Sequence, residues 1–243
     1  MNSAANPELH SYADADELAR AAASAWLDEI AAAARAGQAH CVALSGGRIM
    51  QKLFATTAAL ARERAVPFDG VQFFWADERC VPPTDPESNY KLAEEGLLKP
   101  LKIAPKKIHR LRGEEIPQVA VQIADAELCE LTPKNPKQLP MLDLIFLGMG
   151  EDGHVASLFP NAAANIVDKF VPFLAVKNSP KPPPNRLTLS YQAIFAARNI
   201  WVLISGSGKA DALRAALSGK AATPLGRVIA ARPVKIFYDI NEF

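Results

Sequence analysis

Short apolar runs alternate with helix-like segments along this chain, and that alternation restricts the possible folds more than any other feature. The apolar runs contain few polar side chains and span residues 40–45, 71–76, 142–147, 171–176, 186–190, 199–205 and 235–238. Strands of this composition are typical of a parallel sheet that is covered on both faces. The sequence therefore predicts a doubly wound α/β fold, with a mostly parallel sheet and helices on both faces.

Helical patterns occupy much of the chain between the apolar runs. They are predicted at residues 14–36, 49–64, 89–98, 116–131 and 208–217. Two proline-rich stretches, 81–86 and 179–184, cannot be helix interior or central strand. Because apolar strands resume on both sides of them, we interpret these stretches as stiff loops within one domain that spans residues 1–243.

Composition narrows the functional classes. Lys and Arg total 27 against 26 for Asp and Glu, so the chain lacks the basic field of a general nucleic-acid or anionic-membrane binder. The three cysteines lack zinc or redox spacings and are expected to be free, mostly buried thiols in a reducing compartment. The first residues show no secretory pattern, and no apolar run approaches the roughly 18 residues of a membrane span. The expected location is the cytoplasm.

The turns that follow the predicted strands carry the most informative residues. Ligands of open parallel sheets bind beyond the carboxyl ends of the strands. Four such turns contain unusual residues, at 45–48, 77–79, 148–154 and 205–209. We therefore expect a binding or catalytic site at this edge of the sheet.

The turn at 148–154 matches the spacing G-x-G-x-x-G, which is found in dinucleotide sites. Glu151 and Asp152 would repel a pyrophosphate, and Pro160 shortens the helix that should follow. The next predicted strand is followed by Lys177, where a dinucleotide site needs an acid. These features exclude the dinucleotide interpretation. The glycines, Gly150 among them, instead let the backbone turn sharply and approach a ligand closely.

His154 lies in this glycine turn, two residues after Asp152. A neutral imidazole with a pKa of about 6.5 can take a proton from water at neutral pH, and a nearby carboxylate can fix its tautomer. A lone histidine more often has a structural role. Its position in a glycine turn after a buried strand favours a catalytic one.

Four stretches resemble the 6-phosphogluconolactonases. Residues 147–160 read LGMGEDGHVASLFP and are similar to one signature of that family, and residues 75–90, WADERCVPPTDPESNY, are similar to a second. Residues 179–190 and the Gly-Ser-Gly-Lys turn at 206–209 are two further matches, in the expected order. The resemblance implies hydrolysis of 6-phospho-D-glucono-1,5-lactone to 6-phospho-D-gluconate in the oxidative pentose phosphate pathway. It implies no metal and no other cofactor.

The resemblance also implies catalytic roles for matching residues. His154 would activate the attacking water, or relay its proton to the leaving ring oxygen, with Asp152 as its orienting partner. Asp77 and Arg79 would line the sugar end of the cleft. Lactone hydrolysis passes through a tetrahedral oxyanion, and Arg79 or backbone N–H groups of the glycine turns could be the donors that stabilise it.

Arg186 and Lys209 are implied to hold the 6-phosphate of the substrate. The turn before Lys209 is not a P-loop, because the first glycine and the final hydroxyl residue of that motif are missing. A cation in the first turn of a helix opposes the helix dipole unless an anion is bound nearby, which favours a phosphate contact at Lys209. For Arg79 the alternative is a surface ion pair, and for Arg186 a surface loop shaped by the prolines.

The first glycine turn departs from the family pattern. Ser45, Gly46 and Gly47 are present, but Arg48, Ile49 and Met50 follow where the family usually has small hydroxyl residues and proline. Backbone donors at the helix N-terminus would survive this change, whereas two side-chain hydroxyls would not. Arg48 could supply a compensating charge or point to solvent, so this turn puts substrate affinity in question.

Two other functions remain open. A glucosamine-6-phosphate deaminase or related isomerase has a similar fold and glycine-histidine loop, and Asp77 could be the base that such an enzyme needs. A sugar-phosphate sensor would keep the phosphate cations without catalysis, but the segment before the first glycine turn leaves no room for a DNA reader. In each case the expected partner is a small phosphorylated sugar. No oligomeric state is implied, and a monomer is compatible with the sequence.

Overall fold

The computed structural model describes residues 6–161, 169–219 and 223–240. Within these ranges the strands are β1 (Glu8–Ser11), β2 (His40–Leu44), β3 (Val71–Trp75), β4 (Asp77–Arg79), β5 (Leu144–Gly148), β6 (Phe173–Val176), β7 (Arg186–Leu189), β8 (Asn199–Ile204) and β9 (Lys235–Tyr238). The helices are α1 (Ala15–Arg35), α2 (Arg48–Glu63), α3 (Asn89–Ala93), α4 (Pro117–Leu131), α5 (Tyr191–Ala196), α6 (Ala210–Leu217) and α7 (Pro224–Ala231). A π-helical turn, Glu94–Leu98, continues α3, and 3₁₀ turns lie at Pro105–Lys107 and Ser207–Lys209.

Six of these strands form a parallel sheet in the order β1-β9-β8-β5-β2-β3. From β2 the chain proceeds to β3 at one edge, whereas from β5 it proceeds to β8 and β9 toward the other edge. The strand order therefore reverses between β2 and β5, and the turns after these two strands diverge to leave a crevice. This topology places the turns at 45–48 and 148–154 next to each other.

The sheet is covered on both faces. Every residue of β2 is buried, and alternate side chains of a strand point to opposite faces, so both faces must be packed against other elements. Helix α1 shows how one of them docks. Asp14 caps it by accepting hydrogen bonds from two N–H groups of its first turn, and Trp26 donates from its indole to His40 of β2, at 3.2 Å. The prediction of a mostly parallel sheet flanked by helices is confirmed.

Strands β4, β7 and β6 form a second, antiparallel sheet. The runs at 171–176 and 186–190 are strands, as predicted, but the interpretation that they continue the parallel alternation was wrong. A parallel connection needs a crossover of about a dozen residues or more, usually a helix. The segment 177–185 is shorter and contains four prolines, so it connects two antiparallel strands instead.

Several short elements were not predicted: β1, β4, α5 and α7. Residues 77–79 were expected to be a turn, but they pair with β7 and so form a strand. Three consecutive charged residues have no apolar alternation that could have indicated a strand. Apolar residues from both sheets and the surrounding helices form one contiguous core in the described part of the chain.

Two further expectations concern the cysteines and membrane segments. Cys41 is buried, whereas Cys80 and Cys129 are half-buried, and all three are free thiols. In the described ranges, no helix combines the length and the apolar character that a membrane crossing requires.

Candidate active site

A cleft of about 390 Å³ opens at the carboxyl ends of the central strands. Its lining includes residues from all four turns that the sequence singled out: Ser45, Gly46, Gly47, Arg48, Asp77, Arg79, Gly150, His154 and Lys209. Arg186, from the start of β7, lines it as well. Asp152 does not line the cleft, but it contacts His154. The structure thus brings together residues that lie far apart in the sequence.

Basic side chains dominate this cleft. Among the residues that the structure describes, the charged ones in the lining are five cations and a single carboxylate, from Arg48, Lys52, Arg79, Arg186, Lys209 and Asp77. The formal net charge of the whole chain is only +1, so this excess of positive charge is local. A cleft lined by one sign of charge concentrates ligands of the opposite sign, and the site is therefore suited to an anion.

The glycine turn after β5 holds His154 against Asp152. The Nδ1 atom of His154 lies 2.5 Å from Oδ1 of Asp152, and the backbone N–H of His154 donates to the same oxygen at 3.3 Å. A Cβ added to Gly150 would lie 2.1 Å from the imidazole ring, so only glycine leaves room for the ring at this position. The ring also contacts Phe159, with ring centroids 4.8 Å apart. These contacts fix the orientation of the imidazole.

The electrostatics of the pair favour a neutral imidazole. Burial lowers the pKa of His154, and the hydrogen bond and charge of Asp152 oppose this shift only in part. Burial acts to raise the pKa of Asp152, but the hydrogen bonds and charge of His154 together with the charge of Lys181 outweigh it, so that pKa lies below its usual value. Because Nδ1 faces the carboxylate, Nε2 is the nitrogen that remains to accept a proton. The arrangement is that of a general base with an orienting carboxylate.

Asp77 is the carboxylate of the cleft, and it is held from two sides. It is buried in β4, only 5% exposed. The Ser157 hydroxyl donates to its Oδ2 at 2.7 Å, and the Asn89 amide donates to its Oδ1 at 3.2 Å. The orientation of the carboxylate is therefore set by neighbours from the histidine loop and from α3.

Arg79 and Arg186 lie side by side because β4 and β7 pair at these residues. Arg79 donates from Nη1 to the carbonyl of Glu87, at 2.6 Å. Arg186 is buried and donates from Nε and Nη2 to carbonyls of the proline-rich loop, including that of Pro183 at 2.9 Å. Burial lowers the pKa of Arg186, and the charge of Arg79 lowers it further. An anion bound between these guanidinium groups would relieve their repulsion.

Lys209 and Arg48 form a second cationic group. Burial lowers the pKa of Lys209, and Arg48 is the next largest cause of that shift, so the two charges are close. The turn that carries Lys209 is fixed by Asp239, which accepts from the hydroxyl of Ser205 at 2.6 Å and from the N–H of Gly206 at 2.9 Å. The two predicted phosphate ligands thus line one cleft, Lys209 close to Arg48 and Arg186 beside Arg79.

Arg48 lines the cleft and does not point only to solvent. It is the first residue of α2, whose first turn contains no acidic side chain. The N-terminus of a helix carries partial positive charge, which adds to the charges of Arg48 and Lys209. This end of the cleft has the donors and the charge that phosphate binding requires.

A family model described as "Glucosamine-6-phosphate isomerases/6-phosphogluconolactonase" matches residues 13–237. The chain belongs to this family. The resemblance seen in the four sequence stretches is thereby confirmed.

Relatives within the family cover most of the chain. A protein of Streptomyces coelicolor named 6-phosphogluconolactonase is 34% identical over 220 residues, which are 88% of this chain and 84% of that protein. A protein of the same name from Mycobacterium tuberculosis is 35% identical over 86% of this chain and 85% of its own length. The solved structure of 6-phosphogluconolactonase from Trypanosoma brucei has a TM-score of 0.83 at 27% identity, covering 96% of each chain.

Several polar residues near the site were not assigned from the sequence. Asn89 and Ser157 donate hydrogen bonds to Asp77. Both lie within stretches that resemble family signatures, but the sequence alone assigned no role to either. Lys52 lines the cleft and pairs with Asp16. Nothing local in the sequence indicates these contacts, which join different turns. Within the described ranges, no cluster of three or more His, Cys, Asp or Glu side chains has the arrangement of a metal site.

Proposed function

We propose that this chain hydrolyses 6-phospho-D-glucono-1,5-lactone to 6-phospho-D-gluconate, the lactone-opening step of the oxidative pentose phosphate pathway, in the cytoplasm. The observation that carries the proposal is the 2.5 Å contact between Nδ1 of His154 and Oδ1 of Asp152, at the wall of a basic cleft. Membership of the family and the names of its relatives support the same reaction.

The two cationic groups suggest how the substrate lies in the cleft. The phosphate would bind Lys209, Arg48 and the backbone N–H groups of the turn at 45–47, where the N-terminus of α2 adds a favourable dipole. The lactone ring would then extend toward Asp77, Arg79 and His154. Binding energy from the remote phosphate fixes the position of the reacting carbonyl, which is the usual function of a non-reacting anchor.

The chemistry follows from the state of the imidazole. Neutral His154 accepts a proton at Nε2 from a water molecule as the water oxygen bonds to the lactone carbonyl carbon. The tetrahedral oxyanion is stabilised by Arg79 or by backbone N–H groups of the glycine turns. When the bond from carbon to ring oxygen breaks, the imidazolium returns its proton to that oxygen. The products are a hydroxyl group and a carboxylic acid, which ionises, and the enzyme regains its starting state.

Asp152 supports both halves of this cycle. Its hydrogen bond to Nδ1 holds the tautomer in which Nε2 is free, and its charge stabilises the imidazolium between the two proton transfers. Asp77 would orient the lactone ring, and its charge adds a smaller stabilisation of the imidazolium.

The test follows formation of 6-phosphogluconate from freshly prepared lactone through a coupled dehydrogenase. Wild type is compared with His154→Ala and with a blank, because the lactone also opens unaided. We expect wild type to exceed the blank greatly and His154→Ala to lose at least about a hundredfold in turnover. The control His10→Ala changes a partly exposed histidine on β1 and should retain activity. Wild-type rates equal to the blank would refute the proposal.

A second pair of measurements separates the competing functions. The family includes glucosamine-6-phosphate isomerases, and Asp77 offers a carboxylate in the cleft, so glucosamine-6-phosphate is assayed alongside the lactone. Calorimetric titration with 6-phosphogluconate tests binding without turnover. Release of ammonia from the amino sugar would indicate a deaminase, and binding without either reaction would indicate a sensor.

A further inference from the structure

Asn89 contacts two sides of the cleft with one amide. It is the first residue of α3, is only 3% exposed and lines the cleft. Its Nδ2 donates to the backbone carbonyl of Asp77 at 2.9 Å and to the side-chain Oδ1 of Asp77 at 3.2 Å. The amide thus holds both the backbone and the carboxylate of the same residue.

The oxygen of the same amide faces the first glycine turn. A Cβ added to Gly46 would lie 1.8 Å from Oδ1 of Asn89, so the side chain packs directly on the backbone of that turn. Gly46 follows β2, whereas Asp77 lies in β4 of the second sheet. Asn89 therefore connects the two sheets at the cleft, between the turn assigned to the phosphate and the carboxylate assigned to the ring.

A buried carboxylate fixes the position of Asn89. Glu78, which is 2% exposed, accepts hydrogen bonds from the backbone N–H of Asn89 and of Tyr90, both at 2.7 Å, and from the hydroxyl of Ser88 at 3.0 Å. These three donors belong to the start of α3. Because Glu78 is the neighbour of Asp77 in β4, the same strand supplies the acceptor that holds α3 and the carboxylate that α3 orients.

We propose that Asn89 is a positioning residue of this active site, whose amide N–H fixes the orientation of the Asp77 carboxylate toward the substrate ring. The inference rests on the proposed function for the identity of the substrate, but not for the contact itself. An amide suits this position because it presents a donor to the carboxylate. Aspartate, which has nearly the same shape, would present a second acceptor.

Replacing Asn89 by aspartate therefore gives a test that depends on pH. Two carboxyl groups about 3 Å apart cannot easily both ionise. At low pH they share a proton. Among the described residues, the other titratable or charged groups near this pair are Glu78 and Arg79 from β4, His154 from the histidine loop and Arg186 from β7, and none of them changes in the variant. Asn89→Asp should regain a donor toward Asp77 only when the pair holds a proton.

The experiment measures kcat/KM between about pH 5.5 and 7.5 for wild type, Asn89→Asp and Asn89→Ala, after subtraction of the blank. We expect Asn89→Ala to lose about 10- to 100-fold across this range, since a misplaced group costs that much. The activity of Asn89→Asp, relative to wild type, should rise at least about tenfold as the pH falls through the pKa of the pair. The control Asn135→Asp makes the same chemical change in a turn remote from the cleft, where the oxygen accepts hydrogen bonds and aspartate can replace it.

A second readout keeps the contact testable even if the lactone is not the substrate. Carbon NMR of the side-chain carboxyl groups should show two coupled titrations in Asn89→Asp that reduce to one when Asp77→Asn is added. Independent titrations of the two carboxyl groups would overturn the inference. If the enzyme is active, a ratio of kcat/KM between Asn89→Asp and wild type that stays constant at all pH values would also overturn it. Coupled titrations in a protein without lactonase activity would refute the proposed function alone.

Discussion

The pair of His154 and Asp152 makes a definite prediction about pH. Asp152→Asn keeps the size of the side chain but removes the negative charge next to Nδ1. The Asp152 carboxylate stabilises the imidazolium and so raises the pKa of His154, whereas burial lowers that pKa. Removing the carboxylate should therefore lower the pKa of His154 further. The acid limb of the kcat/KM profile, which reports protonation of His154 in the free enzyme, should therefore move to lower pH.

The size of this shift can be worked from the structure. Two unit charges about 4 Å apart interact by about 4 kcal/mol at an effective dielectric constant of about 20. The side chain of Asp152 is 34% exposed, so water screens part of this interaction. If roughly a third of the interaction remains, it amounts to about 1.4 kcal/mol, or about one pKa unit.

The plateau of the profile should fall as well. An asparagine amide can present either its oxygen or its N–H to Nδ1, and the second arrangement favours the tautomer in which Nε2 already carries a proton. We expect turnover on the plateau to fall by about 10²- to 10⁴-fold, the range that positioned acid–base catalysis contributes. Relative to wild type, the profile of Asp152→Asn would thus be both lowered and displaced.

The assay is the coupled measurement of lactone hydrolysis, repeated across the acid limb with the blank subtracted at each pH. Asp28→Asn, which removes a surface carboxylate paired with Arg64, is the matched control and should leave the profile unchanged. An acid limb that stays in place, or moves to higher pH in Asp152→Asn, would refute the reasoning. Either result would mean that Asp152 does not set the pKa of the base.

Two further predictions concern other parts of the molecule. Lys209→Ala should raise KM about 10- to 100-fold with little change in kcat, because a charge-assisted hydrogen bond to the phosphate contributes about 1.5–3 kcal/mol to binding. The control is Lys137→Ala, on an exposed turn, and an unchanged KM in Lys209→Ala would assign the phosphate to another anchor. Glu29→Gln should stabilise the protein at about pH 8 and have little effect at about pH 4, as measured by thermal unfolding. Burial raises the pKa of Glu29 from the ordinary value of 4.5 to about 7. Between these two pH values the folded state keeps a proton that the unfolded chain has lost. The stability that this proton contributes is therefore complete at low pH and is lost as the pH rises through about 7. The full shift would amount to about 3 kcal/mol, and screening of the partly exposed side chain reduces the expected gain to about 1–2 kcal/mol. Equal unfolding temperatures of wild type and Glu29→Gln at the higher pH would contradict this account.

The outcome for the short elements shows where local patterns cease to be informative. Strands with few polar side chains, such as β2 and β5, were predicted because both of their faces are buried in the sheet. Strand β4 was not predicted, since its three charged residues owe their extended conformation to pairing with β7. A hydrogen-bonded partner about a hundred residues away in the chain leaves no periodicity in the sequence that could reveal it.

The candidate site divides in the same way. The sequence by itself determined the α/β class and the turns that carry His154, Asp77 and Lys209, because hydrophobic periodicity and glycine placement are local properties. Only the tertiary structure decided that Arg79 lies beside Arg186, and that Asn89 holds Asp77. Such contacts depend on the register of strands in a second sheet and on how a helix is anchored to it. They arise from pairing between distant segments, whose free energy is summed over the whole fold and is not recorded in any one stretch of the chain.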